Sequence, residues 1–209
     1  TDGDMVQHPI LQKFAEAFGP HGFRPPAFVP SSGMAETTLA MSFAPLGKRY
    51  VVDEIDREAL AHRNLAVPGA GGPKTRAFVA CGHALQGHEF QVRDDAGRVL
   101  QERSVGHIFF RGPSVMGGYY QQPEMTAEVL SADGWLHTGD LGYLLDDQIV
   151  ITGRAKDLII LNGRNIWPQD LEWSAEELPD LRRGDVAAFF VDENEGEAVV
   201  VLGPCRIGG

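Results

Sequence analysis

The sequence predicts an α+β fold in two parts. The first part, residues 1–155, contains a distorted antiparallel β-barrel or small antiparallel sheet over residues 77–153, because short runs rich in β-branched and aromatic residues alternate there with turn signals. The second part, residues 156–209, begins with an apolar strand, a helix and a hairpin. A part of about 50 residues has a thin core for an independent unit, so we expect it to be the start of a small α+β domain.

The first 76 residues carry one clear helical signal. Apolar residues at helical spacing in residues 9–18, PILQKFAEAF, predict an amphipathic helix that begins near Pro9 and ends near Gly19. Residues 20–33 are rich in Pro, Gly and Ser and are predicted to be a connection. The pattern weakens over residues 45–76, where VVDEIDREAL fits a strand or a short helix, and we expect a surface insertion there.

The rest of the chain supplies strands and two more predicted helices. EFQVRDDAGRVL holds two alternating runs around a DDAG turn, and GHIFFRG and QIVITGR are rich in β-branched or aromatic residues, which favours strands. Pro123 and Pro168 each open a helical pattern, and proline suits the first turn of a helix. DLIILNG is a predicted strand, and VAAFFVDENEGEAVVVLG is a predicted hairpin with its turn at ENEG.

The composition argues against some partners and settings. The chain has 18 Lys and Arg against 29 Asp and Glu, a formal net charge of −11, whereas nucleic-acid backbones require clustered basic residues. No apolar run approaches the ~20 residues that cross a bilayer, so no membrane span is expected. The two cysteines, Cys81 and Cys205, lie far apart without CxxC spacing, which favours a reduced, cytoplasmic setting over a disulfide framework.

A glycine-containing loop, SSGMAETT at residues 31–38, is the first candidate for a binding site. Gly33 allows the backbone to approach a ligand closely, and the Glu36 carboxylate stands beside the hydroxyl groups of Thr37 and Thr38. Such a loop suits a nucleotide phosphate with its magnesium ion.

Two more clusters carry polar groups beside strand patterns. In GWLHTGDLGY, Asp140 follows Gly139 and stands near Gly142, an arrangement that presents a carboxylate to a vicinal diol such as ribose. Arg154 follows the run QIVIT at a predicted strand end, where its forked guanidinium could meet ribose or a phosphate. Each cluster alone is more often an ordinary turn, but their order and spacing favour a common site.

Two other kinds of site are not favoured. The seven histidines form neither HExxH nor a pair spaced i, i+4, which argues against zinc, and we expect His137 to be structural. The segment GPSVMG places Gly112 and Ser114 suitably for the nucleophile motif GxSxG but has Met116 where the second glycine belongs, so a hydrolase is not favoured.

These clusters, followed by TGRAKDLIILNGRN and WPQDLE, resemble the adenylate-forming superfamily of acyl-CoA synthetases, luciferases and nonribosomal-peptide adenylation domains. The resemblance covers nearly the whole chain from about residue 28. It implies that residues 1–155 are the end of a large N-terminal AMP-binding domain and that residues 156–209 begin a mobile C-terminal domain. It also implies ATP or AMP and magnesium as ligands.

Individual roles follow from this resemblance. Glu36 would help to hold magnesium and Lys156 would be the interdomain hinge, so both are candidate catalytic residues. The segment LNGRN resembles the loop that swings into the active site for the second half-reaction. The residues implied in nucleotide binding are Gly33, Met34, Ala35 and Thr37 in the loop against AMP, Asp140 on the ribose hydroxyls, Ile151 in the adenine pocket and Arg154 on ribose or phosphate.

The chain departs from the superfamily pattern in its loops. Ser32 stands where a tyrosine is usual beside adenine. The upstream glycine-rich phosphate loop that ends in lysine has no counterpart here, and the downstream catalytic lysine is expected past residue 209. We therefore expect a C-terminal fragment that is inactive alone.

Within the superfamily, the closer resemblance is to the fatty acyl-AMP ligase branch. AFVACGHALQGHEFQV, RGPSVMGGYY and WPQDLE carry it, together with the extra stretch between SSGMAETTL and AFVACG. The branch implies a fatty acid substrate that is activated as an adenylate and passed to an acyl-carrier protein, and its insertion is associated with failure to use coenzyme A. The alternatives are a fatty acyl-CoA ligase and a non-catalytic, degenerate adenylate-binding module.

Overall fold

Two compact units make up the chain, Thr1–Thr152 and Gly153–Gly209. The domain limits predicted from the sequence remain a prediction. The computed structural model describes residues 5–161, 163–178, 180–182, 184–193 and 196–204.

The first unit combines short helices with a large antiparallel sheet. Its helices are α1 His8–Phe18, α2 Arg57–Arg63 and α3 Pro123–Val129. Its strands are β1 Ser31–Gly33, β2 Ala40–Phe43, β3 Val52–Asp56, β4 Thr75–Val79, β5 His83–Ala84, β6 Glu89–Arg93, β7 Gly106–Arg111, β8 Leu136–Leu145 and β9 Gln148–Arg154, which runs on into the second unit.

The described residues of the second unit form two hairpins and a helix. Its elements are β10 Ile159–Leu161, β11 Arg164–Ile166, α4 Pro168–Ala175, β12 Ala187–Glu193 and β13 Gly196–Leu202. The β10–β11 and β12–β13 pairs are antiparallel, and the backbone N–H of Ala188 donates to Glu172 Oε1 at 3.0 Å, which ties α4 to β12. The predicted helix at Pro168 and the hairpin after it are confirmed. Four residues named in the sequence patterns lie outside the described residues: Asn162, Asn194, Glu195 and Cys205.

The main sheet has seven strands in the order β1-β2-β5-β9-β8-β7-β6. Among the described residues the order ends at β1 on one side and at β6 on the other, so the sheet is open and no closed barrel forms. The predicted antiparallel strands are confirmed, whereas the predicted β-barrel is not. Alternating side-chain patterns are the same in an open sheet and in a barrel, and therefore the sequence could not separate the two.

The core of the first unit lies against this sheet. Cys81, Val92, Ile108 and Ile149 form one buried apolar cluster. Burial raises the pKa of the Cys81 thiol to about 12, so the thiol stays protonated at neutral pH and behaves as an apolar side chain. The largest fully buried side chains are Tyr143, Phe110, Met41, Ile55, Leu60, Ile108, Leu136 and Ile149.

Residues 45–76, which the sequence predicted to be a surface insertion, lie only partly at the surface. The segment contains β3 and α2, and Ile55 and Leu60 are only 0% and 1% exposed. Helix α2 begins where the Asp56 carboxylate accepts a 2.7 Å hydrogen bond from the backbone N–H of Ala59, which satisfies a donor in the first turn. VVDEIDREAL is therefore a strand followed by a helix, and its Ile55, Ala59 and Leu60 belong to the core, whereas Val51 is exposed.

A buried polar network joins this segment to the rest of the unit. Both Asp53 carboxylate oxygens accept from the Arg103 guanidinium, at 3.1 and 3.3 Å, and the Tyr143 hydroxyl donates to the same carboxylate at 2.8 Å. Arg103 also donates to the carbonyl of Ala66 at 2.8 Å. Because Asp53 is buried, both of its partners contribute to keeping its charge inside the fold.

The helices begin and end as their sequences predict. Helix α1 has Pro9 in its first turn and is followed by Gly19, and Phe14 packs against the rings of Phe18 and Phe23. Helix α3 begins at Pro123. Among the described residues, no helix is both long and apolar enough to cross a membrane.

Candidate functional site

The loop SSGMAETT leaves the sheet at the end of β1. A side chain at Gly33 would place its Cβ 1.8 Å from the carbonyl oxygen of Leu39, so only glycine fits without moving the backbone. The β1–β2 register shifts between Ser32 and Gly33, and residues 35–37 then form a 3-10 turn that begins after Met34. The close backbone approach therefore fixes the shape of the loop.

Glu36 is held from outside its own loop. Its carboxylate oxygen Oε1 accepts a 2.9 Å hydrogen bond from the Tyr119 hydroxyl, and its backbone carbonyl accepts from the N–H of Met116 at 2.8 Å. The side chain is half-buried and neighbours the exposed Ala35. The segment between β7 and α3 therefore sets the position of this carboxylate.

The two threonines after Glu36 have different environments. Thr37 is 1% exposed, and its hydroxyl donates to the carbonyl of Met34 at 3.0 Å, so this hydroxyl stabilises the turn. Thr38 is exposed and has φ 71° and ψ −45°, a conformation that β-branched residues rarely adopt. Its hydroxyl lies 3.4 Å from the carbonyl of Ser114. The loop thus ends in a strained residue that contacts the same β7–α3 segment.

Ser32, which stands where the resemblance implies a tyrosine, is buried on β1. It is 8% exposed, and its hydroxyl lies 2.8 Å from that of Ser42. The Ser42 hydroxyl itself donates to the carbonyl of Cys81 at 2.8 Å, so Ser32 is the donor to Ser42. The Ser32 side chain is therefore buried in a hydrogen-bonded serine pair between β1 and β2.

The TGD motif forms a bulge on β8, where this strand pairs with β7. His107 pairs with Leu141 and Phe109 pairs with His137, so Ile108 alone stands opposite residues 138–140. The Thr138 hydroxyl donates to the carbonyl of Ile108 at 2.9 Å and accepts from the backbone N–H of Asp140 at 3.2 Å. Gly139 has φ 79°, which favours glycine. The bulge turns Asp140 out of the regular pleat.

Ile151 lies on β9, the strand next to β8. Its half-buried side chain packs against the cluster of Cys81, Val92, Ile108 and Ile149. Gly142 lets β8 and β9 approach, because a Cβ there would lie 2.2 Å from the carbonyl oxygen of Val150. The structure thus brings Asp140 and Ile151 onto neighbouring strands, and β1 belongs to the same sheet with β2, β5 and β9 in between.

Arg154 and Lys156 belong to the second unit. Arg154 ends β9 and is half-buried, and Lys156 is exposed in a 3-10 turn, Ala155–Asp157. Arg154 lies at the end of a strand, as the sequence predicted. The functional roles of Arg154 and Lys156 stay predictions.

His137 makes structural contacts beside the TGD motif. Its ring stacks on Phe109 with centroids 4.9 Å apart, and its Nε2 lies 3.3 Å from His107 Nδ1. His107 Nε2 lies 3.0 Å from Asp95 Oδ1. Burial, and next the charge of His107, lower the pKa of His137, so the ring is neutral at pH 7.

Sequence reasoning missed a histidine–serine pair and Tyr119. His88 Nε2 lies 2.8 Å from the Ser114 hydroxyl, and the His88 ring stacks on Phe110 and packs against Gly112. The pair thus supports the β7–α3 segment that holds Glu36. The motif RGPSVMGGYY marked this segment in the sequence. Its contacts could not be predicted, because they join residues far apart in the chain.

A magnesium ion fits the residues of this loop. Mg²⁺ is usually held by one or two carboxylates, with phosphates and waters completing its shell. Glu36 offers one such carboxylate, and Tyr119 occupies only its Oε1. The described residues contain no group of three or more His, Cys, Asp or Glu that could hold a metal, so a cation there would depend on ligand phosphates.

The sequence relatives of the chain are ligases. It is 56% identical over 208 residues to a Caulobacter vibrioides protein provisionally named acyl-CoA synthetase, covering 99% of this chain and 36% of that protein. It is 35% identical over 211 residues to the long-chain-fatty-acid–AMP ligase FadD32 of Mycolicibacterium smegmatis, covering 92% and 34%. It is 34% identical over 210 residues to the medium-chain-fatty-acid–[acyl-carrier-protein] ligase JamA of Moorena producens, covering 95% and 36%. No protein-family model matches the chain.

Solved structures with the same fold come from the same group of enzymes. One, from a study of the fatty acyl-adenylate ligases of E. coli and L. pneumophila, has a TM-score of 0.90 and 42% identity, covering 99% of this chain and 37% of that one. Another is the L. pneumophila fatty acyl-adenylate ligase in complex with acyl adenylate and pyrophosphate, with a TM-score of 0.69 and 31% identity, covering 95% and 36%.

Fold and sequence together therefore relate this chain to the adenylate-forming superfamily. Its homologues and structural neighbours are adenylation domains and, more particularly, fatty acyl-AMP ligases, which confirms the predicted resemblance. The chain spans about a third of the length of the curated relatives that it matches.

Proposed function

We propose that this chain carries the nucleotide side of the active site of a fatty acid adenylating enzyme. In the reaction, a fatty carboxylate attacks the α-phosphate of magnesium-bound ATP, an acyl-AMP mixed anhydride forms and pyrophosphate leaves. The observation that carries the proposal is the loop after Gly33, whose glutamate is held by a second segment of the chain. The fatty acyl-AMP ligases among the relatives support the substrate class.

The loop residues would bind the phosphate side of the nucleotide. The backbone of Gly33, Met34 and Ala35 would lie close to AMP, and the buried hydroxyl of Thr37 keeps the turn in shape. Glu36 would hold the magnesium ion. The ion supplies positive charge beside the phosphates, and the contribution of the chain is to present one carboxylate in a fixed orientation.

The TGD bulge would bind the ribose. A carboxylate accepts hydrogen bonds from two neighbouring hydroxyls, and the bulge presents Asp140 from a rigid strand. Ile151 would line the adenine pocket and Arg154 would contact ribose or phosphate. Catalysis would come from positioning and from charge stabilisation, because the carboxylate of the fatty acid is itself the group that attacks the phosphate.

Lys156 is the proposed hinge of a conformational step. It is exposed in the 3-10 turn that follows β9, and a few residues at the end of an element commonly absorb a change in backbone angles. Rotation there would exchange catalytic loops between adenylation and acyl transfer.

The proposed acceptor is an acyl-carrier protein in a cytoplasmic setting. JamA, which is named for that acceptor, supports this assignment. A coenzyme A ligase is the second candidate, because the Caulobacter vibrioides relative is named as an acyl-CoA synthetase.

Pyrophosphate release tests the proposal. The protein at its full natural length is incubated with ATP, magnesium and fatty acids of several lengths, and with coenzyme A or a carrier protein. We expect pyrophosphate release that requires both fatty acid and magnesium, and transfer of the acyl group to the carrier protein. Glu36→Gln should reduce the rate, whereas Glu16→Gln, at an exposed position on α1, serves as the matched control. Formation of acyl-CoA would contradict the proposal that an acyl-carrier protein is the acceptor. A failure to release pyrophosphate with any fatty acid would favour a non-catalytic module.

A further inference from the structure

Tyr119 makes a hydrogen bond that links two distant segments of the first unit. Its hydroxyl donates to Glu36 Oε1 at 2.9 Å, across 83 residues of sequence. The hydrogen bond, together with the burial and the charge of Glu36, raises the pKa of Tyr119, so the phenol keeps its proton at neutral pH. Tyr119 is therefore a neutral donor that occupies one of the two carboxylate oxygens.

The backbone of Tyr119 is fixed from the other side by α3. Its N–H donates to the Thr126 hydroxyl at 2.9 Å, and that hydroxyl donates to the carbonyl of Gln122 at 2.8 Å. Gly118 has φ 139° and lies against the Thr126 side chain. Three hydrogen bonds thus connect the first turns of α3, through Tyr119, to the Glu36 carboxylate.

The first half of the β7–α3 segment, before Tyr119, is also attached. Met116 donates to the backbone carbonyl of Glu36 at 2.8 Å, and Ser114 is held by His88 at 2.8 Å. The backbone of Glu36 and its carboxylate are therefore held by the same segment. Because one oxygen of the carboxylate accepts a hydrogen bond from a fixed donor, the direction of the other oxygen is also defined.

We propose that Tyr119 is a positioning residue that orients the Glu36 carboxylate toward the magnesium ion of the nucleotide. The inference rests on the proposed function for the role of the cation, while the tyrosine–glutamate pairing is independent of it. Hydrogen-bond partners of carboxylate ligands set their orientation, and loss of such a partner typically costs about 10–100-fold in metal affinity or activity.

The first test is a magnesium titration of pyrophosphate release by the full-length protein. Tyr119→Phe should raise the half-saturating magnesium concentration about tenfold, with little change in the KM for fatty acid or in the melting temperature. Tyr120→Phe is the matched control, because Tyr120 is 86% exposed and adjacent in sequence. An unchanged magnesium requirement in Tyr119→Phe overturns the inference, and so does a loss spread equally over magnesium, fatty acid and stability.

The second test does not depend on activity. Crystal structures of the wild-type protein, Tyr119→Phe and Tyr120→Phe are compared without nucleotide. The Glu36 carboxylate should keep one orientation in the wild-type protein and in Tyr120→Phe and should change its orientation in Tyr119→Phe, because its hydrogen-bond donor is lost. If the wild-type protein releases no pyrophosphate, the proposed function fails, and this comparison alone decides the pairing. An unchanged Glu36 orientation in Tyr119→Phe overturns it.

Discussion

Gly33 and Gly142 each lie where a side chain has no room. A Cβ would approach the Leu39 carbonyl oxygen to 1.8 Å at the first position and the Val150 carbonyl oxygen to 2.2 Å at the second. In both cases the obstacle is backbone, which yields less easily than a flexible side chain. These two glycines therefore shape the candidate nucleotide loop and the strand that carries Asp140.

Substitution at Gly33 should show this directly. Gly33→Ala is expected to lower the free energy of unfolding by about 1–3 kcal/mol, because β1 or β2 must move to relieve the overlap. Urea denaturation measures the change. Gly19→Ala is the matched control, since nothing lies within 4 Å of a Cβ there and the backbone is already helical. Equal stability of the Gly33→Ala and wild-type proteins would contradict the close approach.

Single residues differ in how far the sequence predicts them. The glycines beside Asp140 and the loop containing Glu36 were visible as motifs. The partner of Glu36 was not, because no local pattern links a tyrosine to a glutamate 83 residues away. The inward orientation of Ser32 also depends on Ser42 of the neighbouring strand, which only the β1–β2 pairing reveals.

At the scale of elements, β3 and α2 show how a short segment becomes part of the core. Ile55 and Leu60 supply apolar burial, and Asp53 supplies a charge that is held by Arg103 and Tyr143. Burial, and next the charge of Asp53, raise the pKa of Tyr143, so its hydroxyl remains a donor to Asp53 at neutral pH. The segment is thus fixed by both apolar and charged contacts.

Removal of the Tyr143 hydroxyl tests this network. Tyr143→Phe should lower the free energy of unfolding by about 1.5–3 kcal/mol, the usual range for a hydrogen bond to a charged group. Chemical denaturation of the variant and of Tyr120→Phe gives the comparison, and the exposed control should stay within about 0.5 kcal/mol of wild type. If Tyr143→Phe has the same denaturation midpoint as the wild-type protein, Arg103 alone is sufficient to stabilise the buried Asp53 carboxylate.

Elements were predicted well where the signal is local and less well where it depends on pairing. Pro9, Gly19 and Pro123 marked helix limits that the structure shares. The open edge of the sheet, the bulge opposite Ile108 and the core positions of residues 45–76 all follow from which strands are neighbours. A single sequence contains the alternation of a strand but not the identity of its partner.

At the scale of the whole molecule, the chain consists of two compact units with different candidate roles. The first unit contains the Glu36 loop, the Asp140 bulge and Ile151, while Arg154 and Lys156 belong to the second. The chain spans about a third of the length of its curated relatives. The central claim is therefore the proposal that the Glu36 loop, the Asp140 bulge and Ile151 of the first unit belong to the nucleotide side of an acyl-adenylate site.

Binding of AMP by this chain tests that claim most directly. Calorimetry in the presence of magnesium compares the wild-type chain with Asp140→Ala and with Asp180→Ala, an exposed aspartate in the second unit. AMP should bind to the wild-type chain. Asp140→Ala should weaken binding by about 10–100-fold through loss of charge-assisted hydrogen bonds to ribose, and Asp180→Ala should leave it unchanged. Undiminished binding in Asp140→Ala, or no binding by the wild-type chain, would contradict the account.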